Sequence, residues 1–243
     1  MAPSACASAE RRRAARPVLP PVTTRSRLRL AVLASGRGSN LQAILDAIAR
    51  GELDAEVVAV FSDRPQAVAL ARARAAGIDA IAVSPRDFAS RAQFDEHLFS
   101  RIDGVHPDVI VCAGYMRLIS AEAVEARPGR MLNIHPSLLP AFKGLHTHRQ
   151  ALEAGVAEHG ASVHFVTADL DGGPVVAQAR VPVHAGDTEA DLAARVLERE
   201  HPLLIATLRE FAAGRVALVS CAVTRDGVPL AKPLQLDATG ALC

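Results

Sequence analysis

An asparagine and a histidine separated by one residue stand in the run Asn133-Ile134-His135-Pro136-Ser137-Leu138-Leu139-Pro140. In an extended strand, residues two apart point to the same side. The amide and the imidazole would then face one place together. Such a pair can polarise a carbonyl and handle a proton at neutral pH. The ordinary alternative is a histidine that caps a buried loop. The prolines that stiffen this segment, and its place at a strand end, favour a site. Open α/β sheets take their ligands outside the carboxyl ends of the strands.

A second loop offers an acid to such a pair. Thr167-Ala168-Asp169-Leu170-Asp171-Gly172-Gly173-Pro174 follows an apolar run and carries two carboxylates and adjacent glycines. A carboxylate beside His135 would orient the ring and stabilise its charged form. From the residues alone, either Asp169 or Asp171 fits that place. A third segment is Ser35-Gly36-Arg37-Gly38-Ser39-Asn40, between an apolar run and a helical pattern. Free N–H groups at a helix start attract anions, and glycine lets the backbone approach them closely. Leu41 stands where a dinucleotide fingerprint needs its third glycine, although Asp63 lies near the position of a nucleotide-binding acid. A monophosphate suits this loop at least as well as a pyrophosphate.

Other residues exclude more than they offer. His146 and His148 lack a third ligand at zinc spacing, so no metal is expected; Thr147 between them reads as a helix cap. His164 reads as a core histidine within a strand. Tyr115 is the only tyrosine and tryptophan is absent, which leaves few stacking platforms for nucleic acid. A net charge of +1 provides no basic field, so neither nucleic acid nor a membrane surface is expected as a partner. Cys6, Cys112, Cys221 and Cys243 show no metal or disulfide spacing and fit a reducing cytoplasm. No apolar run reaches the roughly 18 residues of a membrane span. The oligomeric state is left open.

These loops need a scaffold, and the apolar pattern predicts one. Short apolar runs at 28–33, 57–61, 78–83 and 109–113 read as strands. Helical patterns at 40–49, 67–76 and 91–102 separate them. The runs are continuous rather than alternating, as expected when helices cover both faces. The rhythm predicts an α/β fold with a Rossmann-like, mostly parallel sheet and helices on both faces. Further along, strands are expected at 131–134, 162–167 and 175–183, and a helix at 147–154. A longer helix is expected over 188–211, kinked or interrupted at Pro202. One or two weak strands are expected after 216. Residues 1–27 carry Arg11, Arg12, Arg13, Arg16, Arg25 and Arg27 against a single acid, Glu10. That composition fits an organelle transit peptide or a disordered extension. The expectation taken is a disordered N-terminal extension over residues 1–26.

Four ordered segments, LAVLASGRGSNLQAIL, VCAGYMRLIS, LNIHPSLLPAFKGLHTHRQALEAG and EHGASVHFVTADLDGGPVV, resemble the folate-dependent phosphoribosylglycinamide formyltransferase family. The resemblance implies a formyltransferase fold, with one formyltransferase domain over 27–243. It implies transfer of the formyl group of 10-formyltetrahydrofolate, a co-substrate, to the amine of glycinamide ribonucleotide. That is a step of one-carbon metabolism and de novo purine biosynthesis, expected in the cytoplasm. By the same resemblance, Gly38, Ser39 and Asn40 hold the ribonucleotide phosphate. Leu197, Glu198, Arg199 and Glu200 line the rest of that substrate's site, with Glu200 at its amine or ribose. Arg91, Met116, Arg117, Leu118, Ile119, Asn133 and the loop Thr167, Ala168, Asp169, Leu170 and Asp171 match folate contacts. Asn133, His135 and Asp171 match the catalytic trio, and Asp169 matches no catalytic role. Lys143 stands where some relatives carry proline before Gly144. The implied chemistry is direct attack of the amine on the formyl carbon, without metal or covalent nucleophile.

Four other readings compete. A formyltetrahydrofolate hydrolase shares such a trio but usually carries an extra N-terminal domain. A methionyl-tRNA formyltransferase would need an added tRNA-binding domain and more positive charge. The missing third glycine opposes a dinucleotide-dependent reductase. The NIHPS and DLDGGP segments oppose a non-catalytic nucleotide-binding module.

Overall fold

The computed structural model describes residues 27–243, so the expected extension over 1–26 lies outside the described residues. Strand β1 (Leu28–Leu33) shows why its run from Leu30 to Leu33 is apolar at every position. Leu30 and Val32 enter one core, while Ala31 and Leu33 enter the other. β2 (Ala55–Ser62) and β4 (Val109–Cys112) divide their side chains in the same way. On one face lie α1 (Ser39–Ala49), α2 (Val68–Ala75), α5 (Thr147–Glu153) and α6 (Glu189–Ala212). On the other lie α3 (Arg91–Gly104) and α4 (Ala121–Glu125). α3 presents Phe94, Leu98, Phe99 and Ile102 to the sheet, all of them buried.

With β3 (Ala80–Ala82), β5 (Met131–His135), β6 (Glu158–Phe165), β7 (Val175–Pro182) and β11 (Leu234–Gln235), the main sheet has eight strands. Their order is β11-β7-β6-β5-β4-β1-β2-β3. Only β6 runs against its neighbours, so the sheet is mostly parallel, as expected. Strand order reverses at β1 and β4, which opens a crevice at their carboxyl ends. A small antiparallel sheet of β8 (Val216–Val219), β9 (Ala222–Arg225) and β10 (Val228–Pro229) follows α6. It is held to α6 through Glu210, which accepts from the guanidiniums of Arg215 and Arg225. Burial pushes the Glu210 carboxyl up, but these two cations outweigh it and leave it below the usual range. Among the described residues no helix is long and apolar enough to cross a membrane.

Several expectations need correction. α6 runs unbroken through Pro202. Proline in a helix costs about 3 kcal/mol, but Leu192, Val196, Leu203, Leu204 and Leu208 are fully buried beside it. Each such side chain contributes roughly 1.5–3 kcal/mol, so the packing wins. The proline itself is exposed. β6 begins at Glu158 and ends at Phe165, rather than spanning 162–167. Four short strands follow α6 instead of one or two. α4 and a 3-10 turn at Pro85–Asp87 were not anticipated.

Candidate active site

Three loops leave the carboxyl ends of the adjacent strands β1, β4 and β5. The first is Ser35–Asn40. Its serine hydroxyl donates to buried Asp63 at 2.5 Å and accepts from Met116 N at 3.0 Å. Ser35 thus ties the β1 loop to the β4 loop, and Asp63, just after β2, is the structural anchor that holds its hydroxyl. Gly38 starts α1 at φ +71, and no side chain caps that helix. The amides of the first turn are therefore left for an anion. Asn40 is buried, and its Nδ2 donates to Glu200 Oε2 at 3.3 Å. Burial raises the Glu200 carboxyl above its ordinary range, against the pull of the Asn40 bond. Arg199 turns away, donating to the carbonyls of Leu236 and Asp237. Glu198 is exposed, and Leu197 is half-buried.

The structure adds a packing reason for glycine at 38. A Cβ there would lie 2.8 Å from both Cα and Cβ of Ala69 on α2. The left-handed backbone adds roughly 1–2 kcal/mol for any other residue, and overpacking adds about 1–3. Gly38→Ala should therefore lose roughly 2–5 kcal/mol of stability in denaturant titration. Gly36, with open space around it, should tolerate Ala within about 0.5 kcal/mol. Equal losses at both positions would refute this packing argument.

The second loop, after β4, forms one wall of a pocket. Arg117, Leu118 and Ile119 line it together with Cys112 and Tyr115. Met116 is exposed and does not line it. Arg91 on α3 reaches this wall, its Nη2 donating to Ile119 O at 3.1 Å. The opposite wall is Val166–Asp171, and Asn133 and His164 complete the lining.

At the end of β5 the three polar residues converge. His135 Nδ1 lies 3.5 Å from Asp171 Oδ2, and its Nε2 donates to Phe142 O at 3.0 Å. Asn133 Nδ2 is 3.5 Å from Asp171 Oδ1. Asp171 also accepts from Gly144 N at 2.9 Å, which draws the 136–144 loop onto it. Its own φ of +46 is left-handed, a strain that the surrounding bonds hold in place. Gly173 cannot carry a side chain, since a Cβ would fall 1.9 Å from Phe165 O. Asp169 is exposed. Lys143 reaches toward this loop, its Nζ 3.5 Å from where a Cβ on Gly172 would sit.

His164, expected as a core histidine and buried within β6, also joins this group. Its Nδ1 donates to Phe165 O at 2.9 Å, leaving Nε2 to accept from Asn133 Nδ2 at 3.1 Å. Burial pushes the ring below the ordinary histidine range, against the pull of Phe165 O and Asp171. A neutral His164 thus fixes which way the Asn133 amide faces. The antiparallel register sets Asn133 opposite His164, a pairing that no single segment reveals. Behind the loop, His148 Nδ1 meets His159 Nε2 at 3.2 Å. Burial lowers both, His159 to about 4. Thr147 does not cap α5; its hydroxyl donates to Pro136 O at 2.7 Å, and His146 is the cap residue. Among the described residues no three of His, Cys, Asp or Glu are grouped to hold a metal ion.

The formyl transferase family model matches residues 28–208. The chain is 51% identical to phosphoribosylglycinamide formyltransferase of Escherichia coli (strain K12) over 82% of this chain and 94% of that protein. It is similar to the structure of phosphoribosylglycinamide formyltransferase from Coxiella burnetii, with TM-score 0.82, 46% identity and coverage of 84% and 96%. A formyltetrahydrofolate deformylase from Pseudomonas syringae pv. tomato is more distant, with TM-score 0.75 and 25% identity, matched over 82% of this chain and 66% of that one.

Proposed function

The chain belongs to the formyl transferase family, and from that premise we propose that it moves the formyl group of 10-formyltetrahydrofolate to the amine of glycinamide ribonucleotide. This is a cytoplasmic step of purine biosynthesis between small molecules, carried by one domain over residues 27–243. The observation that carries the reading is the convergence of Asn133, His135 and Asp171 beside a pocket walled by the β4 loop and the Val166–Asp171 loop. The pocket would receive the folate. The Gly38–Asn40 turn would take the phosphate, and Glu200, beside Asn40, would meet the amine or ribose.

The chemistry follows from those positions. The amine attacks the formyl carbon, and the carbonyl oxygen gains charge. Asn133 Nδ2 has two hydrogens; His164 takes one at 3.1 Å, and the other, held to Asp171 Oδ1 only at 3.5 Å, is the one that would pass to that oxygen. His135, set against Asp171 through one ring nitrogen, would turn its other N–H from Phe142 O to the developing oxyanion and hold it by a hydrogen bond without giving up the proton. The tetrahedral intermediate then collapses. Its C–N10 bond breaks, N10 takes a proton, and the former amine loses one.

One assay tests the whole reading. The purified protein, given 10-formyltetrahydrofolate and glycinamide ribonucleotide, should form the formylated ribonucleotide and tetrahydrofolate in equal amounts. Formate release at the same rate with and without the ribonucleotide would replace this reading with a hydrolase.

A further inference from the structure

Two polar atoms in the pocket wall are shut off from solvent and have no hydrogen-bond partner, the Tyr115 hydroxyl and Arg117 Nε. Both residues line the pocket. Native proteins leave few buried polar groups unpaired, and each costs free energy. These two belong to one short segment, so the cost is concentrated there. Burial, followed by the charges of Asp63 and Asp95, pushes the Tyr115 hydroxyl far above the ordinary tyrosine range. It therefore keeps its proton and is available as a donor. Arg117, stacked over the Phe94 ring at 5.0 Å, has only donors to give. What the segment lacks is an acceptor.

The cavity also has the wrong size for its proposed occupant. It measures about 100 Å³, whereas small-molecule sites begin near roughly 300 Å³. Its mouth carries exposed Leu118 on one side and exposed Leu170 on the other. The ends of the segment are pinned, at Met116 N by Ser35 and at Ser120 N by Asp95. These bonds hold the backbone that follows Tyr115, whereas the Tyr115 hydroxyl has no bond to hold its ring in place.

We propose that Tyr115 is a further specificity residue of this pocket, its hydroxyl turning out of a closed seat to donate to an acceptor on the folate heterocycle as the 115–119 wall gives way. The inference rests on the reading that this pocket takes the folate co-substrate. Opening enlarges the cavity and lets the unpaired donor find a partner in one movement. Removing the hydroxyl should then weaken folate binding without weakening the protein.

Tyr115→Phe tests this. Its melting temperature should equal or exceed the parent's, because an unpaired buried hydroxyl is removed. Its calorimetric Kd for 10-formyltetrahydrofolate should rise roughly tenfold, with the Kd for glycinamide ribonucleotide unchanged. A second measurement uses the unmodified chain. Tyr115 is its only tyrosine, so ring-¹³C-tyrosine labelling reports on this site alone. Its resonances should move when tetrahydrofolate is titrated and stay still with glycinamide ribonucleotide. An unchanged folate Kd in Tyr115→Phe, or tyrosine resonances unmoved by bound folate, overturns the inference. A lowered melting temperature with unchanged folate affinity makes the hydroxyl structural and overturns it too. A wild-type protein that binds no folate would instead overturn the reading of the pocket.

Discussion

Replacing His135 by alanine should slow turnover by about 10²–10⁴-fold, the usual worth of a positioned proton donor. The ring is buried, with one nitrogen against Asp171 and the other bonded to Phe142 O. Its loss removes the imidazole donor proposed for the carbonyl that gains charge. It also leaves the Phe142 carbonyl without this partner, so stability should fall by on the order of 1–3 kcal/mol. The variant should still give the parent's circular dichroism spectrum, because β5 is held on both sides by β4 and β6. The measurement is kcat under saturating substrates, with folding checked on the same sample. A folded variant within a few-fold of the parent would remove His135 from the mechanism.

The second large effect is expected at Asp171. An asparagine there keeps one acceptor oxygen for Gly144 N but turns the other position into a donor. That donor, at the Oδ1 position, would face Asn133 Nδ2, which is also a donor. The pair would lose its alignment and the charged ring its counter-ion. Turnover should drop by roughly 10³-fold. Asp169→Asn provides the comparison: its side chain is exposed, and the contacts of Asp169 in the loop use its backbone oxygen. It should cost less than about tenfold. Comparable losses at the two positions, in purified and folded variants, would show that the loop acts as a whole rather than through one carboxylate.

Much of the scaffold is legible in the chain because the central strands carry unbroken apolar runs. Leu30–Leu33 and Val109–Cys112 carry that signature and lie where it places them. β6 was harder to read, since Glu158, His159 and Gly160 resemble a loop. His159 is nevertheless fully buried, and glycine at 160 is required because a Cβ would strike Ala179 O on β7. Proline at 202 misled for a related reason. Local propensity there is overridden by buried leucines that no single-residue rule weighs. At the site, Asn133 and His135 were visible as a pair because one strand carries both. The part played by His164 was not, because it depends on the register between two strands. The choice between Asp169 and Asp171 was equally closed to spacing alone, since it depends on how the loop folds back toward Gly144.

The bond between Asn40 and Glu200 joins positions 160 residues apart. Contacts between such distant positions require most of the chain to be ordered before they are rewarded, which slows folding. During synthesis the strands β1 to β4 leave the ribosome well before α6 exists. The Gly38–Asn40 turn is therefore made long before the carboxylate that completes it, and no fragment ending short of α6 contains both halves. The pocket between the β4 and β6 loops is lined only by residues up to Asp171, so in a nascent chain the whole lining of the pocket proposed for folate exists before the partner of Asn40 is made.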